Sequence, residues 1–290
     1  MTPAGPAHAR RGAFGSTRAV ARDAARMSAP LVLKIGGRAL ESDGAPHELA
    51  GEIALTPGPL VLVHGGGAEV SAWCERLGIE PRFYDGLRVT DAATLEVAAA
   101  VLAGLANKRL VAVLRAAGID AVGLAAADGG IVEARPHPDV AMLGEVAAVE
   151  SVAPALLATL LAQGRVPVLA SIAAWRGRLM NLNADDLAAA VAAALGARAL
   201  VLLSDTPGLM LGGGRVAHLP AASLEGAIAH ADVTGGMLAK LRAARAALAG
   251  GIARVHIAAW EGPGTLRALL AGAGSGTTIE AHATTEVTHG

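Results

Sequence analysis

A lysine stands inside an otherwise apolar run, Leu31-Val32-Leu33-Lys34-Ile35, and the glycines Gly36-Gly37 follow it. A buried, unpaired ammonium group is costly, so Lys34 is expected to face a ligand or a carboxylate; the alternative is a lysine snorkelling at a strand edge. A second apolar run, residues 59–63, ends in His64-Gly65-Gly66-Gly67, and a third ends in Ser204-Asp205-Thr206-Pro207-Gly208. Glycines after strands leave backbone N–H groups pointing outward, and helix N-termini add partial positive charge. Such places hold phosphates or carboxylates. Taken singly, each reads as well as a plain turn.

Three more segments set polar groups against apolar ones. Gly86-Leu87-Arg88-Val89-Thr90-Asp91 places an arginine that can grip a carboxylate with two prongs. A surface salt bridge from Arg88 to Asp85 or Asp91 is the plainer alternative. Met180-Asn181-Leu182-Asn183-Ala184-Asp185-Asp186 precedes an alanine-rich helix and carries capping-type residues, so Asp185 reads as an N-cap, a functional acid, or both. Gly235-Gly236-Met237-Leu238-Ala239-Lys240 opens another helix. The Walker pattern for nucleotide phosphates is absent. Gly65-x-Gly67 after a strand resembles a dinucleotide fingerprint, with Asp85 near its acidic position, but Val70 occupies the third glycine site, which makes a dehydrogenase a poor reading.

These residues need a frame that brings strand ends together. Strands are expected at 31–35, 59–63, 120–124, 166–171, 199–204 and 254–259. Helices are expected from the glycine triplet to about Leu77, then at 94–117, 152–163, 185–195 and 235–249. Residues 125–150 read as irregular, with Asp128-Gly129-Gly130 as a hairpin turn. Apolar strands alternating with helices predict an α/β fold: an open three-layer αβα sandwich with a mainly parallel sheet covered on both faces. Ligands of such sheets sit at the carboxyl ends of the strands, where these glycine loops fall.

Composition narrows the function. Of 290 residues, 53% are hydrophobic but only 2% aromatic, so the core must be built from Ala, Val, Leu and Ile. The formal net charge of −1 gives no basic surface for nucleic acid. The apolar runs before Lys108 and up to Leu203 are broken by charges or glycine, and neither reads as a membrane span. The single cysteine, Cys74, allows no intrachain disulfide, suits a reducing cytoplasm and reads as a small core residue. Residues 1–29 are rich in Ala, Gly and Arg and read as a disordered extension or an early start, with Met27 as the alternative first residue.

Lysine-x-Gly-Gly, His-Gly-Gly-Gly, Gly-Leu-Arg-Val-Thr, Asn-x-Asn-Ala-Asp and Gly-Gly-Met-x-x-Lys occur here in the order seen in the N-acetylglutamate kinases, a branch of the amino acid kinase family. The resemblance covers roughly residues 30–280. Ala103-Gly104-Leu105-Ala106-Asn107-Lys108 and Ile257-Ala258-Ala259-Trp260 also resemble the short enterobacterial form. The resemblance implies ATP-dependent phosphorylation of the side-chain carboxylate of N-acetyl-L-glutamate, in arginine biosynthesis. It also implies the amino acid kinase fold, with an amino-acid lobe at 30–195, a nucleotide lobe at 196–280 and a tail at 281–290.

By that resemblance, Lys34 and Lys240 stabilise the transferring phosphoryl group, Asp185 organises both lysines, and backbone N–H groups of Gly37, Gly65 and Gly66 cradle it. Gly66, Gly67, Arg88, Asn181 and Asn183 match the residues that hold the amino acid; turn formation is the alternative for the asparagines. Ser204, Asp205, Thr206, Pro207, Gly208, Leu209, Asp232, Val233 and Thr234 match the nucleotide segments. Mg2+ is expected to arrive with ATP, without a protein metal site. His64 reads as packing support for its loop, and Asp186 as solvent-facing or part of the cap. The polar, glycine-rich start does not resemble the amphipathic helix of arginine-inhibited hexamers, so a homodimer without arginine feedback is implied. The rivals are a kinase for N-acetylaminoadipate, free or carrier-linked, which would differ around Arg88 and the shortened 125–139 region, and a non-catalytic sensor. A sensor would have lost Lys34, Asp185 or Lys240, and all three are present.

Overall fold

The computed structural model describes residues 29–36, 40 and 44–281. The N-terminal extension up to residue 28, the tail from residue 282 and Gly37 lie outside the described residues. An eight-stranded sheet forms the centre. Its strands lie in the spatial order His218–Pro220, Thr277–Glu280, Arg254–Ala259, Ala199–Ser204, Leu31–Ile35, Leu60–His64, Val166–Ala170 and Ala121–Ala125. All pairs are parallel except Arg254–Ala259 with Thr277–Glu280.

The central strand explains the placement of Lys34. Successive side chains of a strand point to opposite faces. Leu31, Leu33 and Ile35 pack on one face, with Leu49, Leu110, Leu114 and Leu266 from the helices Ala45–Ala54, Asn107–Ala116 and Thr265–Leu270. Val32 packs on the other, against Leu187, Val191 and Leu241 from the helices Ala184–Leu195 and Gly235–Ala249. Lys34 shares the parity of Val32. It therefore emerges on the face where those two helices begin.

The expected sheet strands stand within a residue or two of their expected bounds. Residues 125–150 differ from the irregular reading. They form the strands Val132–Pro136 and Val146–Val152, joined through the short helix Val140–Leu143, and belong to a second, four-stranded sheet with Ile172–Trp175 and Arg178–Leu182. Asp128-Gly129-Gly130 is not a hairpin turn. It is a short 3-10 turn carrying the chain from one sheet to the other, and Asp128 Oδ2 accepts the Ala125 N–H at 2.8 Å. The following helix starts at Ala155, with Pro154 at its N-cap, because residues up to Val152 remain in the strand.

The helix expected at 94–117 spans Ala92–Ala116 and contains a seven-residue π-helical stretch, Ala100–Ala106. By length and composition it could cross a membrane. In the fold, Val97, Ala98, Val101 and Leu102 pack against Val70, Cys74 and Ile172, and Leu110 and Leu114 against the central sheet. Cys74 is a buried core residue.

Candidate functional site

Asp185 is the pivot. Asn183 caps the helix Ala184–Leu195: its Oδ1 accepts the backbone N–H groups of Asp185 at 2.8 Å and Asp186 at 3.1 Å. The cap is thus Asn183, which frees the Asp185 carboxylate in the first turn. Its Oδ1 lies 2.9 Å from Lys34 Nζ and its Oδ2 3.3 Å from Lys240 Nζ. All three are buried, at 8% exposure for Lys34, 5% for Asp185 and 7% for Lys240.

Burial alone would raise the Asp185 pKa, but the two lysine charges and their hydrogen bonds reverse this and hold it below the ordinary carboxylate value. Burial lowers the Lys240 pKa, with Asp185 pulling it back, Lys34 pushing it down and Asp205 raising it. Two buried cations around one carboxylate leave an excess positive charge, which an anion would neutralise. Asp186, with its side chain at the surface, has its pKa raised to about 6, first by desolvation against the protein around it and then by Asp185, with Arg242 opposing.

Next to this triad is a cavity of about 240 Å3 lined by Lys34, Gly36, Gly65, Gly66, Gly67, Phe83, Arg88, Ser171, Asn181, Asn183 and Asp185, among others. It brings together every described residue expected to hold the amino acid. Gly36 lets the lysine curl beneath the turn, since a Cβ there would sit 3.0 Å from Lys34 Nζ. The Gly65 N–H extends the sheet ladder to the Ile35 carbonyl at 3.3 Å, while Gly66 is the N-cap of the helix Gly67–Arg76, whose first-turn N–H groups have no intrahelical partners.

Arg88 is buried. Its Nη2 donates to the Gly67 carbonyl and to Ser71 Oγ, both at 2.7 Å, and Phe83 lies under the guanidinium with its centroid at 4.9 Å. Nη1 is buried without a partner, so the group has a donor left for an anion. The salt-bridge alternative for Arg88 is not what the fold builds: Asp85 instead pairs with Arg242 at 3.0 Å, and Asp91 caps the next helix through Thr94 N–H and lies 3.6 Å from Arg82. Asn181 Nδ2 donates to Thr90 Oγ1 at 3.1 Å. Phe83 and Ser71 were not expected. Ser71 stands four residues after Gly67 on one helix face, and Phe83 is one of only two phenylalanines in the chain. Those were the available signals.

The segments expected to bind nucleotide lie beyond the lysines, at the carboxyl end of Ala199–Ser204. Ser204 Oγ accepts the Thr206 N–H at 3.2 Å. Gly208 has φ 127°, and a Cβ there would meet Thr277 Oγ1 at 2.8 Å and Gly276 C at 3.0 Å. Leu209 and Val233 are buried core residues, and Leu209 N–H is taken by Thr277 Oγ1 at 2.7 Å. Asp232 Oδ2 accepts the Gly212 N–H at 2.8 Å, and Thr234 is the N-cap of the Lys240 helix. The hairpin carrying Arg88 reaches that helix: a Cβ on Gly86 would lie 3.3 Å from the Gly235 backbone. No cluster of three His, Cys, Asp or Glu side chains fit to hold a metal occurs among the described residues. A larger cleft, about 1000 Å3, opens at the first residues of Ala199–Ser204 and Arg254–Ala259, away from Lys34 and its carboxylate.

The model of the amino acid kinase family matches residues 29–259. The acetylglutamate kinase of Gloeobacter violaceus is 41% identical over 241 residues, covering 78% of this chain and 78% of that protein. The acetylglutamate kinase of Koribacter versatilis is 43% identical over 239 residues, covering 78% and 89%. Among solved structures, N-acetylglutamate synthase from Neisseria gonorrhoeae, complexed with coenzyme A and N-acetyl-glutamate, is similar at a TM-score of 0.78 and 28% identity, over 94% of this chain and 64% of that one.

Proposed function

The chain belongs to the amino acid kinase family, and from that premise we propose that it transfers the γ-phosphoryl group of ATP to the side-chain carboxylate of N-acetyl-L-glutamate, in arginine biosynthesis. The observation that carries this reading is the buried Lys34–Asp185–Lys240 triad beside a cavity that holds Arg88. A carboxylate oxygen of the acceptor attacks the γ-phosphorus, the bond to the β,γ-bridging oxygen breaks, and ADP leaves with that electron pair. The product is the acyl phosphate, N-acetyl-L-glutamyl 5-phosphate.

The acceptor carboxylate has an ordinary pKa near ~4.3, so it is ionised at neutral pH and needs no general base. Rate enhancement then comes from alignment and from charge stabilisation on the moving group. Lys34 serves the acceptor side and Lys240 the nucleotide side, with Asp185 holding both ammonium groups in place. Arg88 binds the α-carboxylate through its free Nη1, and Asn181 and Asn183 border the acetamido group. The backbone N–H groups of Gly66 and Gly37 cradle the phosphoryl oxygens, whereas the Gly65 N–H, also expected there, is taken by the Ile35 carbonyl. Residues 30–195 form the acceptor lobe and 196–280 the nucleotide lobe, with the loop 204–209 and residues 232–234 against ATP. Mg2+ arriving with ATP would be held mainly by the phosphates, with Asp205, whose charge reaches Lys240, as the carboxylate that could help hold it, and it would supply further neutralisation of phosphate charge. The reading includes a cytoplasmic homodimer without arginine feedback, which a sedimentation mass of two chains and activity unchanged by millimolar arginine would support.

The deciding assay couples ATP consumption to hydroxylamine trapping of the acyl phosphate with N-acetyl-L-glutamate as acceptor. Lys34→Ala is expected to lower kcat by about two to three orders of magnitude while the fold persists. Faster turnover of N-acetylaminoadipate, or near-normal turnover by Lys34→Ala, would overturn the reading.

A further inference from the structure

We propose that His64 and Asn107 form a buried positioning pair that fixes the peptide plane between Gly65 and Gly66 and thereby aims the Gly66 N–H at the phosphoryl group; the role rests on the phosphotransfer reading above. Both side chains are fully buried, and neither lines the cavity described for Lys34 and Arg88; His64 reaches it only through Gly65, which does.

The hydrogen bonds determine the state of the ring. His64 Nδ1 lies 2.9 Å from the Gly65 carbonyl oxygen, which can only accept, so Nδ1 carries the proton. His64 Nε2 lies 3.0 Å from Asn107 Nδ2, which can only donate, so Nε2 is the acceptor. The amide cannot be turned round: Nδ2 also donates to the Val168 carbonyl at 2.9 Å, while Oδ1 accepts from Lys108 Nζ at 2.9 Å. Burial, the largest influence on His64, lowers its pKa and keeps the ring neutral.

Orientation follows from the sheet. His64 shares the parity of Leu60 and Leu62, so its ring lies on the face opposite Val63, which packs with Val32 on the lysine side. The ring draws the Gly65 carbonyl towards that face. In a trans peptide the next N–H points the opposite way, so the Gly66 N–H turns to the face that carries Lys34.

Two features of the chain exist to make room for the pair. The π-helical stretch Ala100–Ala106 ends immediately before Asn107 and shifts the helix phase, turning an amide inward on the side that also carries the buried Leu110 and Leu114. Gly123 lies beneath it, where any Cβ would collide with Asn107 Oδ1 and sit 2.8 Å from Lys108 Nζ.

The test separates positioning from packing. An asparagine side chain offers an N–H where histidine has Nδ1, whereas glutamine offers one where histidine has Nε2. His64→Asn is expected to keep kcat within about threefold of wild type. His64→Gln and His64→Leu are expected to lose about ten- to hundredfold in kcat, with acceptor KM changed by less than about threefold. A kcat order that follows melting temperature across the three variants, or full activity in His64→Gln, would overturn the proposal. Nitrogen-15 spectra of histidine-labelled wild type, assigned with His64→Asn, give a readout independent of substrate. A neutral His64 ring protonated at Nδ1 supports the pair, and protonation at Nε2 refutes it. If wild type fails to phosphorylate N-acetyl-L-glutamate, the functional reading falls, and the tautomer alone then decides the pair.

Discussion

Replacing Asp185 by asparagine keeps the shape of the site and removes the one carboxylate between two buried ammonium groups, 2.9 Å from Lys34 and 3.3 Å from Lys240. Removing one partner of a buried ion pair costs about 3–5 kcal/mol. Here the loss has a ceiling, because Lys240 can discharge instead of remaining charged without a partner. Taking one lysine from its ordinary pKa of 10.5 to neutrality costs about 5 kcal/mol at pH 7 and about 2 kcal/mol at pH 9, at ~1.36 kcal/mol per unit. The unfolded chain then binds the extra proton, so the stability of the variant rises with pH. Urea denaturation followed by circular dichroism should show Asp185→Asn about 3–5 kcal/mol less stable than wild type at pH 7, narrowing to about 2 kcal/mol at pH 9. Adding Lys240→Met should recover most of the loss at pH 7. A difference under about 1 kcal/mol at pH 7, or one that does not shrink with pH, would show that the two lysines do not depend on this carboxylate.

Other outcomes are open to simpler measurements. Arg88→Lys replaces a planar fork, whose Nη2 serves Gly67 and Ser71 while Nη1 stays open, by a single ammonium point that cannot span those positions at once, so its acceptor KM should rise about ten- to hundredfold, for a loss of ~1.5–3 kcal/mol, with ATP KM unchanged. His256 is buried against Thr278, and desolvation, aided by the Arg254 charge, pushes its pKa from 6.5 to about 4. The unfolded chain binds that proton first, so stability should fall by about 3 kcal/mol as pH drops from 6.5 to 4, and His256→Leu should flatten that part of the curve. Gly208→Ala forces a side chain into backbone at Gly276 and a left-handed conformation. It should lower the melting temperature by at least about 4 °C, for a loss of ~2 kcal/mol.

The sequence exposed the frame where a physical conflict was visible. Lys34 stood out as a charge within an apolar run, and the glycines after residues 35 and 64 marked where parallel strands end. The second sheet was hidden because its strands use alanine at buried positions, such as Ala134, Ala147 and Ala173, and alanine is a weak strand former. Proline at 136 and 138 then broke the alternation. Asp185 reads as a cap and Asn183 as a turn former, and the backbone geometry assigns the cap to Asn183 instead. The contact between His64 and Asn107 joins residues 43 apart through a π-helical phase shift, which no helical periodicity reveals.

The parity of the central strand has an implication for how this enzyme tolerates change. Deleting a single residue ahead of Lys34 would leave a strand just as apolar and just as able to pair with Leu60–His64 and Ala199–Ser204. It would nevertheless swing the ammonium group round into the oily layer formed by Leu49, Leu110 and Leu114. Small indels there should therefore be far more damaging than most point substitutions, since the face on which the ammonium group emerges follows an even-or-odd count that has no intermediate setting.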